Sequence, residues 1–375
     1  MKKTLALAIC VAATGSLFAQ EQEAKALYEQ GNALFKSYDK NFTLQQINPA
    51  GVDPEQMGKE LIEGYTIFMK ALPLDSVPNA KGKVNPKHSK KIISTIVGHA
   101  NDFFNAGGAF YNNKKYYPEA YQAFTIYADM PGIPALAASA QNITEEQRAT
   151  AYFNAGLAAY SGNAVEESAK AFKNARLNNY AQPEAYIYEI ACWQSMAQRD
   201  STLVGEAKKH VNEVAADGYK RFGVSQPVFL NNLVNSMIED KNIDGAIALV
   251  QKELGQNPDN ANLYGLLGFI YDRSDKDDLS VEAYRKAASI ESADFETLLN
   301  AAKKIFRTGT EKWNLIEGNS AEAREKRNDV KVNYFEAAKA IAEKAKALHA
   351  DKPDSTLNYL LDSIQYNLDN YFPAQ

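Results

Sequence analysis

The tetrapeptide Phe-Asn-Ala-Gly occurs twice, at 104–107 and at 153–156, each time inside a stretch whose apolar and small residues recur at i, i+3, i+4 and i+7. Glycine in a helix interior costs about 1 kcal/mol relative to alanine, so its return at one place in a helical pattern signals close packing rather than a turn. An aromatic-rich turn follows each glycine. A second helical stretch then carries a small residue four positions before a phenylalanine, Ala120 with Phe124 and Ser168 with Phe172. No segment alternates as a strand does. A chain of 375 residues would ordinarily suggest two or three domains of about 150, but arrays of hairpins escape that estimate because they grow by adding units.

Aligned on the glycine, the chain falls into helix pairs of about 34 residues. In the unit beginning at Ala261, the residues Tyr264, Leu267, Gly268, Tyr271, Ser280, Tyr284 and Ala287 all stand at the offsets of the tetratricopeptide repeat, and the pattern resembles that family. The unit before it begins at Pro227, with Leu230, Leu233, Met237, Ala246, Val250 and Pro258 in register. Earlier units begin at Ala149, with Tyr152, Gly156, Ser168, Phe172 and Ala175, and near Ala100, with Phe103, Gly107, Phe110, Ala120 and Phe124. Between them and Pro227, Tyr186 and Trp193 mark a further pair with extra residues. The resemblance implies an all-α, right-handed superhelical solenoid of about seven helix-turn-helix pairs plus a C-terminal capping helix. It spans 22–371 as one domain, with degenerate pairs at 22–132, the best repeats at 149–294, and a degenerate last pair and cap at 295–371. Insertions are expected at 39–53 and 308–330, hinges at 74–89 and 130–144, and a first helix reaching back from Ala100 to about Lys87.

The repeat positions explain the composition, which pairs abundant alanine with 21 Tyr, 17 Phe and 2 Trp. Helix axes about 8 to 10 Å apart need small residues at the crossing. Gly31, Gly107, Gly156 and Gly268 supply them on first helices, and Ala120, Ser168, Ala246 and Ser280 on second helices. Phe124, Phe172, Val250 and Tyr284 supply the facing bulk, each worth roughly 2 to 3 kcal/mol when buried.

At the start of the chain, Met1, Lys2 and Lys3 precede an apolar stretch over 5–18 and a small residue, Ala19. That is the layout of a signal peptide over 1–19, and its apolar run falls short of the ~20 residues needed to span a bilayer. Export to the periplasm or cell envelope, with no transmembrane span after cleavage, is the expectation. Ile9 stands before Cys10 where a lipidation signal wants a small residue. The mature chain then keeps only Cys192, which excludes an internal disulfide. The chain as a whole is expected to be an exported bacterial protein, of Bacteroidetes type by the short Asp-Ser motifs at 75–77, 200–202, 354–356 and 362–364, which resemble that phylum's periplasmic O-glycosylation acceptors.

The resemblance also implies where a partner sits. First helices of successive repeats line a concave groove, and offset 6 often holds an asparagine able to satisfy both N–H and C=O of a peptide. Counting places Asn105, Asn154, Asn232 and Asn300 there, with Asn32 and Asn235 at the groove-facing offset 9. Tyr28, Phe35, Phe104, Tyr111, Phe153 and Tyr160 occupy offsets 5 and 12. Solubility and packing between repeats explain the same residues equally well. Clamping of a C-terminal carboxylate is not supported, because Asn101, Phe104, Thr150, Phe153, Glu184 and Tyr188 stand where such grooves carry Lys or Arg.

Other chemistry finds little support. His88, His99, His210 and His349 are far apart, and there is no metal-ligand spacing, nucleophile elbow or phosphate loop, so no catalytic residue, metal or cofactor is expected. With 41 basic against 46 acidic residues, nothing invites nucleic acid. Lys81, Lys83, Lys87, Lys90 and Lys91 form a basic cluster that reads as a solvated loop and helix entry. Asp75-Ser76-Val77, Asp200-Ser201-Thr202, Asp354-Ser355-Thr356 and Asp362-Ser363-Ile364 fit a short O-glycosylation acceptor pattern and, equally, Asp and Ser helix caps. The leading expectation is a non-catalytic periplasmic scaffold that binds a protein or peptide in its groove. The alternative is a structural subunit of an outer-membrane assembly or secretion complex. Glycan capture is disfavoured by the missing lipidation signal and the absence of a large non-repeat region.

Overall fold

The computed structural model describes the backbone of residues 2–77, 84 and 86–371, with side chains from residue 19 onward. Among the described residues all regular structure is helical, and the chain forms two compact units, Met1–Val214 and Ala215–Gln375.

Unit 1 contains α1 (Lys2–Ile47), α2 (Pro54–Asp75), α3 (Ser89–Gly98), α4 (Ala100–Asn113), α5 (Tyr117–Asp129), α6 (Pro134–Ala137), α7 (Glu145–Ser161), α8 (Val165–Leu177), α9 (Glu184–Arg199) and the first part of α10 (Val204–Phe222). Unit 2 continues from within α10 through α11 (Pro227–Glu239), α12 (Ile243–Gln256), α13 (Ala261–Asp272), α14 (Asp277–Ser289), α15 (Phe295–Asn314), α16 (Ala321–Val330), α17 (Ala337–Leu348) and α18 (Ser355–Tyr371). Helices pair in chain order as antiparallel hairpins, α1 with α2, α4 with α5, α7 with α8, α11 with α12, α13 with α14, and α15 with α17. This is the tetratricopeptide arrangement. Leu357, Leu360 and Ile364 of α18 close the last apolar face.

The glycines are where the hairpins lock. A methyl group on Gly156 would lie 2.6 Å from Phe172 Cδ1, and one on Gly107 would lie 2.8 Å from Phe124. Gly31 meets Phe68 and Gly268 meets Tyr284 in the same way. The serine of the second helix adds a hydrogen bond. Ser168 Oγ donates to the Gly156 carbonyl and Ser280 Oγ to the Gly268 carbonyl, both at 2.9 Å. A hydroxyl can thus be buried at this offset because the bare glycine lets it reach a carbonyl. Ala120 and Ala246 fill the same place without a polar atom. An additional lock, Gly218 on α10 against Phe229 on α11, lies outside the 34-residue alignment.

Several expected boundaries shift. The insertion expected at 39–53 is mostly helix, because α1 runs to Ile47 with Tyr38 buried, and only the short Pro49–Gly51 turn precedes the Asp53 cap of α2. The helix expected to reach from Lys87 through Ala100 breaks at His99, whose Nδ1 turns back to the Thr95 carbonyl at 2.8 Å. The first residues of the 308–330 insertion extend α15, since Thr308 and Gly309 are buried and Gly309 faces Tyr334; the remainder contains α16. The 130–144 segment is anchored rather than a bare hinge, because Met130 and Leu136 are fully buried.

Two further packing features matter below. Arg176 of α8 forks onto Glu189 of α9, Nε to Oε2 at 2.8 Å and a terminal nitrogen to Oε1 at 3.2 Å, with both side chains buried. Each unit holds one tryptophan with a ring laid on it: Trp193 stacks on His210 with centroids 4.0 Å apart, and Trp313 on Tyr371 at 4.5 Å.

Candidate peptide groove

In unit 2, the first helices α11, α13 and α15 line a cavity of about 580 Å³. Its floor is apolar, Leu266 and Phe269 of α13, both half-buried. Gly265 lets α15 come close beside the cavity, since a methyl there would lie 3.2 Å from Thr297 Cγ2. Amides rise around it. Asn231 and Asn235 come from α11, Asn262 from α13 and Asn300 from α15. Asn262 Oδ1 accepts from Thr297 Oγ1 at 2.9 Å, which ties the two helices together and leaves its NH₂ group as a donor.

One end of the cavity is electrostatically fixed. Lys304 is buried, and its Nζ donates to Asp272 Oδ1 at 2.6 Å and also to Asp277. Arg307 adds a second bond to Asp272. The Lys304 ammonium holds the Asp277 carboxyl below the ordinary range. Burial pushes the neighbouring Tyr284 hydroxyl upward, and it stays protonated. One cation thus joins the end of α13, the start of α14 and the middle of α15.

The expected groove residues divide. Asn235 and Asn300 meet in the unit 2 cavity, whereas Asn232 turns its Nδ2 onto the Val228 carbonyl at 2.8 Å. In unit 1, Phe104 and Asn105 line a smaller hollow of about 420 Å³ with Tyr127, Glu146 and Thr150. The unit 1 aromatics mostly pack. Phe104 meets Phe124 and Tyr127 edge-on, and Phe153 stacks on Tyr180 with centroids 4.4 Å apart. Tyr28 is stacked by His88 at 4.4 Å, and Phe35, 2% exposed, belongs to the core against Phe68. Tyr111 leans on Tyr117, and Tyr160, 47% exposed, leans on Tyr188. Asn32 and Asn154 are half-buried beside these rings. Counting of offsets missed Asn231, Asn262, Glu296 and Lys303. On α15 the spacing 296, 300, 303, 307 is itself a single helical stripe and was the available signal.

Three of the four Asp-Ser motifs make capping hydrogen bonds. Asp75 accepts from the backbone N–H groups of Lys87, His88 and Ser89 and from Ser89 Oγ at 2.6 Å, which ties the end of α2 to the start of α3. Burial works against that carboxylate, but the hydrogen bonds from Ser89, His88 and Lys87 outweigh it and hold its pKa down. Asp200 accepts from Thr202 N–H at 2.9 Å and Asp354 from Leu357 N–H at 2.8 Å, while Asp362 lies inside α18. Lys87 pairs with Glu21, Lys90 and Lys91 are exposed, and Lys81 and Lys83 lie outside the described residues. Among the described residues no cluster of His, Cys, Asp and Glu is arranged to hold a metal, and no helix is long and apolar enough to cross a membrane.

Among solved structures, the chain is similar to a TPR repeats protein from Bacteroides fragilis, at 15% identity over 71% of this chain and 98% of that one, with a TM-score of 0.33. It is similar to yeast Tom70 at 14% identity over 94% of this chain and 90% of that one, with a TM-score of 0.35. The TPR domain of P58(IPK) matches at 10% identity over 90% of this chain and all (100%) of that one, with a TM-score of 0.25. No protein-family model matches the chain, and no curated protein does.

Proposed function

We propose that this chain is an exported, non-catalytic scaffold that holds a protein partner by an extended segment laid in the unit 2 groove. The observation that carries this reading is the rim of amides over an apolar floor. Among the described residues, Asn231, Asn235 and Asn300 have no internal side-chain hydrogen bond, although they converge on one cavity. An extended backbone entering that cavity loses water from its N–H and C=O groups, and amides that both donate and accept restore those bonds in either chain direction. A helical ligand, with its backbone already paired, would not need them. The leader over 1–19 supports export to the periplasm or envelope.

Capture from bacterial envelope extract tests both parts. Wild-type chain should retain a partner that the variant with Asn235→Ala and Asn300→Ala loses, at unchanged melting temperature; retention by that variant sinks the groove reading. Mass measurement of the exported chain should show a start near Gln20. A second reading, a permanent subunit of an outer-membrane assembly, draws on Leu315, 81% exposed between α15 and α16. Under that reading Leu315→Ser, not the asparagine changes, would release the partner.

A further inference from the structure

We infer that the unit 2 groove selects protein segments carrying a basic and an acidic side chain three residues apart in a polyproline-like extended conformation. This inference rests on the groove reading above and specifies its ligand. Glu296, Asn300 and Lys303 follow one another on the cavity face of α15. Glu296 is exposed and Lys303 half-buried, and among the described residues neither has an ion-pair or hydrogen-bond partner. Their neighbours are committed otherwise: Arg307 and Lys304 are bound to Asp272, and Asp294 accepts from the Thr297 amide as the cap of α15. Two opposite, uncompensated charges therefore stand at the two ends of the amide-lined stretch.

Their separation sets the ligand's spacing. Seven residues of α-helix rise about 10 Å. A polyproline-type segment advances about 3.1 Å per residue and returns to the same face every third residue, so its side chains at i and i+3 face α15 about 9 Å apart. A β-strand places i and i+2, or i and i+4, on one face, at about 7 Å or 13 Å, and fits less well. The polyproline form also makes no internal hydrogen bonds, which suits a site that offers free amides. A basic ligand side chain near Glu296 and an acidic one near Lys303 complete both pairs, whereas like charges leave one facing its own sign.

The test is selection of a random-core peptide display library on the full-length chain at low salt. Bound peptides should be enriched about 10-fold for opposite charges at i and i+3 over like charges at that spacing. Lys303→Glu should shift the enrichment to two basic residues at i and i+3. The double exchange Glu296→Lys with Lys303→Glu should invert whichever order of the two charges the wild type selects. Both positions are on the groove surface, and unchanged melting curves verify that folding is intact. If captured peptides depend on Asn235 and Asn300 but show no charge spacing, or if their charges do not respond to Lys303→Glu, this inference is overturned and the groove reading stands. If capture is indifferent to Asn235→Ala with Asn300→Ala, the groove reading falls and takes this one with it.

Discussion

The same repeat offset is used in opposite ways by the two units. At the fifth position of the repeat, unit 1 places Phe104 on α4 and Phe153 on α7, and each ring packs against rings later in the chain, with Phe104 also bordering the smaller hollow. Unit 2 places Asn231 on α11 and Gly265 on α13 at that offset, and a cavity lies open there. Both arrangements rest on the same interlock underneath, Gly156 on Phe172 in one and Gly268 on Tyr284 in the other. The same interlock thus recurs in both units, while the residue three positions before the glycine differs: rings packed against later rings at Phe104 and Phe153, a glycine bordering the cavity at Gly265.

That contrast can be attacked at decreasing cost to the protein. The largest effect should come from Glu189→Ala in unit 1, which takes the bidentate partner from the buried Arg176 guanidinium and leaves it the longer contact to Glu213 at 3.5 Å, and should remove about 3 to 5 kcal/mol in denaturant unfolding. Removing Lys304 from unit 2 should cost less, because Asp277 is half-exposed and regains water. Next, Gly156→Leu drives a side chain into Phe172 and should destabilise unit 1 by about 3 kcal/mol; an unchanged melting curve would show that the interlock is not what holds the hairpin. Exchange of the offset-5 residues is a direct trial of the comparison. Phe153→Asn should cost about 2 kcal/mol through the lost stack on Tyr180, whereas Asn231→Phe should be neutral within about 0.5 kcal/mol yet abolish partner capture. Capture surviving Asn231→Phe would mean the open face is not the one used.

The smallest effect is acid sensitivity, which the units should share. Asp75 in unit 1 and Asp277 in unit 2 both have lowered carboxyl pKa values, so their stabilisation is fully present above the unfolded carboxylate value of about 4. It is lost as pH falls through the lowered folded values. Hydrogen exchange should show faster opening at α3 and at the start of α14 below about pH 4, and Asp75→Asn should remove the pH dependence at α3 only.

The hairpins were legible because their signal is local and repeated. A glycine, a small residue and an aromatic ring at fixed offsets mark each lock, and the alignment paired Gly107 with Phe124, Gly156 with Phe172 and Gly268 with Tyr284 as the structure does. Boundaries were less legible because tertiary burial decided them: Tyr38 keeps α1 helical past Asp39, and Thr308 with Gly309 carries α15 into its expected insertion. The groove was half legible. Offsets place Asn235 and Asn300 in it, but whether an aromatic at offset 5 is open or packed depends on rings further along the chain, Tyr180 in the loop after α8 and Tyr188 on α9, which no single-repeat pattern contains. Lys303 and Glu296 escaped notice because charges on a helix are usually solvated, and only the shared cavity distinguishes them.

The chain's two tryptophans are divided between the units, and each has a different ring laid flat on it, an imidazole in one and a phenol in the other. Each unit thus carries its own optical label. In Trp313→Phe the remaining emission reports unit 1 alone, and in Trp193→Phe it reports unit 2 alone. Two unfolding curves from one unmodified polypeptide backbone would then show whether the halves melt together or one after the other.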